Sequence, residues 1–268
     1  MEIAINGWFA GDPASGSGQY IDHLLAQLPQ MTPGVRLSLL VPQGHSLAGD
    51  RWPQVHIVRL AVPPLPRNLA KLWFEQVSVP AAARRLGADV LWVPYWAAPW
   101  WQPIPTVVTV HDLIPLLLPA YRGGPLQRGY TALASRTARR SAAVIAVSEA
   151  AKADIVAHLH IPAARVHAIL HGPNQEGMAP PTPEQLAAVR ARYNLPPRFF
   201  LYLGGFDVRK NLASTLAAYR RYLDRGGDPA VRLVIAGKLP AQDSAFFPDP
   251  QKIAAELHLS EQVQFCGW

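Results

Sequence analysis

Ala143-Val144-Ile145-Ala146-Val147-Ser148 decides how the chain is read. A short apolar, β-branched run ending in a polar residue suits a strand covered on both faces. Ser148 can cap a helix through its side-chain oxygen. The residues after it predict a helix to about His158, and residues 166–170 form a second β-rich run. Strand, helix, strand in this order is the unit of an open, mostly parallel α/β sheet.

The same alternation extends in both directions. Residues 2–8 predict a first strand, and a Gly/Ser-rich loop at 11–18 leads to a helix over about 19–28. Residues 35–41 and 55–60 read as strands, 71–86 as a helix stopped by Gly87, and 89–93 and 106–110 as strands. A basic helix is expected over 130–140. Residues 172–183 contain two glycines and four prolines, the composition of a linker. After it come a helix at 184–193, a strand at 199–203 and a helix at 212–222. Residues 232–236 read as a strand, 252–257 as a helix and 263–265 as a last strand. Two α/β units follow, 1–175 and 176–268, the first about twice the size of the second.

The chain has 268 residues, half of them hydrophobic and 16% charged, so it can bury a core and is not a disordered polymer. Its formal net charge of +7 permits an anionic partner: phosphate, nucleotide, acidic lipid or nucleic acid. A single cysteine, Cys266, rules out an intrachain disulfide framework and fits a reducing compartment. The first residues lack the basic-then-apolar pattern of a signal peptide, and the apolar runs are too short to span a bilayer. A cytoplasmic protein is the expectation.

Several groups of residues could carry chemistry. Gly16-Ser17-Gly18 lies between a strand and a helix start, where backbone N–H groups favour an anion; a plain flexible turn is the alternative. The dinucleotide pattern fails there because residue 21 is isoleucine. His111-Asp112 follows an apolar strand, at the end that faces the ligand crevice of a doubly wound sheet. Arg209-Lys210-Asn211 follows the turn Gly204-Gly205-Phe206-Asp207. Two cations at a helix start oppose the helix dipole, so they suit a diphosphate better than a structural role. Trp92, Tyr95, Trp96, Trp100 and Trp101 form an aromatic run that could pack on sugar rings, meet a lipid interface or fill a local core. Arg122, Arg128, Arg136, Arg139 and Arg140 could touch anionic lipid or form an ordinary solvated face. His158, His160, His167 and His171 lack the partners and the common side needed for a metal site, and no metal is expected. There is no Asp-x-Asp, no Gly-x-Ser-x-Gly and no zinc or RNA-binding signature, so no nucleic acid is expected.

The ordered set of segments resembles the glycosyltransferases of the GT-B fold, family 4 type. The segments are residues 16–20, Thr109-Val110-His111-Asp112-Leu113, 144–148, 201–212, 233–237 and 263–267. The resemblance implies two Rossmann-like domains, the first binding a glycan or lipid-linked acceptor and the second a nucleotide-sugar donor. It implies a retaining transfer without a metal or further cofactor. His111, with Asp112, would serve the donor sugar, and Gly16, Ser17 and Gly18 the glycine loop. Arg209, Lys210, Gly204 and Gly205 would bind the donor diphosphate, and Tyr95, Trp96 and Trp100 would line the acceptor side. Gly205 stands where the family usually has arginine, and Arg209 is its expected substitute. The form of the Arg-Lys-Asn segment hints at mannose, hence GDP-mannose, with peripheral contact at the inner face of an anionic membrane. The family's Glu-x7-Glu donor motif follows the strand at which this sequence ends, so the resemblance implies a chain truncated before it. The alternatives are a non-catalytic glycan- or lipid-binding protein on the same fold and, less well matched, a nucleotide-dependent oxidoreductase.

Overall fold

The computed structural model describes residues 1–47, 51–173 and 179–267. The chain divides into two compact units, Met1–Glu176 and Gly177–Trp268. The expected linker falls partly on residues 174–178, so the boundary between 175 and 176 lies outside the described residues.

The larger unit is a seven-stranded sheet, ordered β3-β2-β1-β4-β5-β6-β7. The strands are β1 (Glu2–Asn6), β2 (Arg36–Pro42), β3 (His56–Leu60), β4 (Val90–Val93), β5 (Thr106–Val110), β6 (Ala143–Ala146) and β7 (Val166–Ala168). Every neighbouring pair is parallel. The helices are α1 (Gly16–Met31), α2 (Arg67–Trp73), α3 (Val79–Arg85), α4 (Ile114–Leu117), α5 (Pro125–Ala138) and α6 (Glu149–Leu159). Ser148 caps α6 as expected, its side chain accepting from the Ala151 N–H. Two cores flank the sheet. One gathers Phe74, Leu91, Val108, Val110 and Ile155; the other gathers Ile5, Ile21, Leu25 and Leu39.

Some boundaries differ from the sequence expectation. The single helix expected over 71–86 is α2 and α3 joined through a π-helical segment, Phe74–Ser78. α1 begins at Gly16, not at residue 19. A short helix, α4, follows β5 where none was expected.

The smaller unit has α7 (Pro183–Arg192), β8 (Phe199–Leu203), α8 (Leu212–Asp224), β9 (Arg232–Ala236), α9 (Pro250–Glu256) and β10 (Val263–Gly267). Its parallel sheet runs β10-β9-β8. Leu216, Tyr219, Leu233, Ile235 and Leu259 form its core. Leu203 on the edge strand β8 stays 76% exposed.

Candidate functional site

In the larger unit, the chain leaves β1 towards β2 on one side and returns at β4 on the other. That is the topological switch of an open α/β sheet, and ligands bind beyond the carboxyl ends of the strands beside it. The segments after β1, β4 and β5 converge there.

The segment after β1 is wound tightly. Asp12 N–H donates to the Phe9 carbonyl at 3.1 Å and Gly11 N–H to Asp22 Oδ1 at 2.8 Å. Ser15 Oγ caps α1 by accepting from Gly18 N–H at 3.0 Å. Gly16, Ser17 and Gly18 therefore form the first turn of the helix, not the loop before it. Gly18 is required for space: a Cβ there would lie 2.0 Å from the Asp12 carbonyl oxygen. Gly16 has nothing within 4 Å of the same position. The N–H groups of Gly16 and Ser17 have no acceptor within their own helix, so this end suits an anion approaching the open side.

His111 follows β5, and its Nε2 lies 3.1 Å from the Pro94 carbonyl oxygen. A carbonyl only accepts, so Nε2 carries the proton and Nδ1 is left as the acceptor. The ring stands edge-on to Tyr20 at 4.9 Å and 5.7 Å from the His171 ring. Tyr20 also packs on His171. Burial lowers the pKa of both histidines, and the neighbouring His171 lowers that of His111 further. Asp112 turns to other work, accepting from Ile114 N–H at 3.0 Å at the start of α4. Among the described residues no hydrogen bond joins it to His111.

The aromatic run divides by depth. Trp92 and Tyr95 are buried, Trp92 donating to Thr109 Oγ1 and Tyr95 to Asn6 Oδ1, each at 3.1 Å. Trp96 is half-buried, with its Nε1 enclosed and unpartnered. Trp100 and Trp101 are exposed, with the Arg140 and Arg84 guanidinium groups over their rings. Tyr95 thus offers no open ring face to a sugar, because its hydroxyl and ring belong to an internal network. Lys71 Nζ donates to the Tyr130 hydroxyl at 2.7 Å and to the fully buried Glu75. Tyr130 donates to the same carboxylate, and the rings of Phe9, Tyr95 and Tyr130 surround the ammonium at 4.7–5.6 Å. Sequence reading missed this network, Tyr20 and the site role of His171. His171 stands three residues past the end of β7, a signal of the kind that singled out His111. Among the described residues no group of three His, Cys, Asp or Glu could hold a metal ion.

In the smaller unit, Gly204 and Gly237 close the carboxyl ends of β8 and β9. A Cβ on Gly237 would meet the Gly204 carbonyl oxygen at 2.3 Å, so the two turns pack backbone to backbone. Gly204 N–H donates to the Ala236 carbonyl at 3.2 Å. Gly205 has room for a side chain, its nearest neighbour being Asp207 Oδ2 at 3.6 Å. Residues 208–210 make one 3₁₀ turn, and Asn211, with a positive φ, starts α8 without a side-chain cap. Arg209 lies 3.7 Å from Asp207, so part of its charge is already met. Lys210 is exposed and joins no ion pair among the described residues. The glycine turn, the uncapped start of α8 and Lys210 together form a cationic cradle at the strand ends.

Acidification should act through the histidine pair. Both are held below the ordinary histidine pKa, so the unfolded chain binds more protons than the folded one as pH falls below about 6.5. Stability is full above that value and declines below it. Thermal unfolding between neutral and mildly acidic pH should show the decline, and His111→Gln with His171→Gln should flatten it. An unaltered slope in the double variant would remove the pair as its source.

Comparison with known proteins follows the same lines. A family model described as Glycosyltransferase Family 4 matches residues 14–176. The serotype-specific mannosyltransferase WbdA of Escherichia coli is 30% identical over 129 residues, 47% of this chain and 15% of that protein. The alpha-D-kanosaminyltransferase of Streptomyces kanamyceticus is 28% identical over 131 residues, 48% of this chain and 32% of that protein. The chain thus spans less than a third of the length of these relatives. Among solved structures, Anabaena HepE in complex with UDP and glucose superposes with a TM-score of 0.64 at 14% identity. That match covers all of this chain and 69% of HepE. WaaG, a glycosyltransferase involved in lipopolysaccharide biosynthesis, gives 0.56 at 13% identity, covering 99% of this chain and 70% of WaaG. These structures share the fold of both units.

Proposed function

The chain belongs to glycosyltransferase family 4, and from that premise we propose that it serves transfer of a sugar from a nucleotide-sugar donor to a glycan or lipid-linked acceptor. The carrying observation is the cradle of Gly204, Gly205, Lys210 and the start of α8. As the sugar leaves, negative charge grows on the diphosphate, and a fixed cation there stabilises the transition state more than the ground state. Lys210 supplies that charge, with Arg209 as a weaker second donor because Asp207 competes for it. In the larger unit, His111 presents a neutral imidazole with Nδ1 free to accept from a sugar hydroxyl, and Gly16 and Ser17 offer backbone N–H groups.

Mannose is the first donor sugar to test, because WbdA carries that activity in its name. HepE was solved with UDP and glucose, so GDP-mannose should be assayed beside UDP-glucose. The reading has the anomeric configuration retained, which the product's anomeric NMR coupling reports. It uses no metal, since Lys210 takes the part of a cation on the diphosphate, and a chelator should leave the rate unchanged. Action at the inner face of a membrane, on a lipid-linked acceptor, belongs to the same reading.

Lys210→Ala should lower turnover by about two to three orders of magnitude, the usual cost of one charge-stabilising donor. The exposed side chain holds nothing together, so thermal stability should stay the same. Unchanged turnover with the preferred donor would take the diphosphate role away from Lys210.

A further inference from the structure

α2 and its π-helical extension run beside α5, locked by Lys71 and Glu75 on one side and Tyr130 on the other. The locking residues point inward, so the opposite sides of both elements face solvent. On the α2 side these carry Leu69, Trp73 and Val77, large apolar residues with no covering element, Trp73 being 42% exposed. Four-residue spacing puts them in one row. Trp100 joins the row, its backbone N–H held by Gln76 Oε1 at 2.8 Å and its ring beneath Arg140. On the α5 side Arg128 and Arg136 are exposed, and Leu126 in its first turn is 92% exposed.

The charge around this row is one-sided. Residues 113–148 hold five arginines and not one carboxylate. Residues 61–101 hold two: Glu75, which is fully buried, and Asp89, which is engaged by the Glu2 N–H before the start of β4. No acid therefore neutralises the arginines beside the apolar row. A basic surface alone would suit any polyanion, and an apolar row alone any hydrophobic partner. Tryptophan and leucine flanked by arginine fit an interface with both properties, the headgroup and upper acyl region of an anionic bilayer.

We propose that this surface, the row Leu69–Trp73–Val77 with Trp100 and the arginines of α5, is where the chain docks on anionic membrane. It deepens the membrane part of the reading above and rests on it. Because α2 also carries Lys71 and Glu75, docking would set the membrane against the helix that frames the carboxyl ends of β1 and β4. The notebook of charges alone would place the contact on arginine; the geometry gives the apolar row an equal share.

Flotation of the chain with vesicles tests it, in the absence of donor and acceptor. Binding is expected to phosphatidylcholine vesicles containing phosphatidylglycerol, not to phosphatidylcholine alone, and to weaken with added salt. Arg128→Gln with Arg136→Gln should lower the partition coefficient roughly thirtyfold, at about fivefold for each arginine near the surface. Leu69→Ser with Trp73→Ser should lower it at least about tenfold through lost apolar insertion. All four side chains are exposed, so unfolding curves should match the parent. Absence of vesicle binding, equal binding to both vesicle types, or full binding by the Leu69 and Trp73 double variant would overturn the proposal. So would self-association that depends on Trp73 with no vesicle binding, which would make the face a protein interface. Sugar transfer to a soluble acceptor is read separately, so failure of either test leaves the other standing.

Discussion

Lys71→Met is expected to cost about 3–5 kcal/mol of stability near neutral pH, the range for stripping one partner from a buried ion pair. Glu75 is fully buried on the π-helical segment, and the Lys71 side chain is 19% exposed. Methionine keeps the length and apolar body of the stem among Phe9, Tyr95 and Tyr130, so the packing loss is small. What changes is the charge. Burial raises the Glu75 pKa even in the parent, and Lys71 is the strongest influence pulling it back down. Without Lys71 only neutral hydroxyls remain, and the pKa rises further. A carboxyl raised in the folded state contributes stability that is present below its unfolded pKa and lost as pH rises through its folded pKa. The variant should therefore approach the parent at acidic pH and fall away as pH increases. Denaturant unfolding of the larger unit across that range measures the effect. Adding Glu75→Gln should recover most of the loss, since a neutral pair of similar shape is often no less stable than the ion pair. A cost below about 1 kcal/mol at neutral pH would mean that the ammonium does not hold the carboxylate in place.

That pair also marks the limit of what the sequence discloses. Lys71 and Glu75 are four residues apart on a helix, the spacing of an ordinary solvent-facing pair. Nothing local says that the helix turns this side inward, because the decision is made by Tyr130, 55 residues beyond Glu75. The strands were easier. Runs such as 106–110 and 143–146 are apolar through their length and bounded by turn residues, so periodicity and punctuation agree with the tertiary outcome. The start of α1 went the other way. Glycine is a poor helix former, so Gly16 and Gly18 read as loop. The close approach of Gly18 to Asp12 outweighs propensity and admits no side chain. The aromatic run misled for a different reason. Trp92 lies on β4 and Tyr95 just past its end, and both turn into the core, whereas Trp100 and Trp101 lie beyond three turns of proline-rich chain. Closeness in sequence was read as one cluster, but the strand end separates the two depths. The four histidines were weighed together as metal ligands, and that grouping hid His171, whose position past β7 allies it with His111 instead.

The two glycines of the α1 start should behave as opposites when each is replaced by alanine. Gly18→Ala puts a methyl group 2.0 Å from the Asp12 carbonyl oxygen and 2.8 Å from that of Phe9. Both are backbone atoms, held by the Asp12–Phe9 and Gly11–Asp22 hydrogen bonds, so neither can swing aside as a side-chain end could. Either the loop after β1 unwinds or α1 shifts, and both routes break the Ser15 cap. A loss of at least about 3 kcal/mol is expected, the upper range for forcing atoms into a packed site. Gly16→Ala meets open space, and its φ lies outside the left-handed region, so stability should hold or rise by up to about 1 kcal/mol from the better helix former. Its effect should fall on function, because the new methyl group occupies the approach to the Gly16 and Ser17 N–H groups. Turnover should drop in Gly16→Ala while the unfolding curve stays in place. If Gly18→Ala unfolds like the parent, the tight contact with Asp12 is not a constraint on this loop. If Gly16→Ala keeps full turnover with a bulky anionic donor, no ligand comes close to that end of α1, and its open side is only surface.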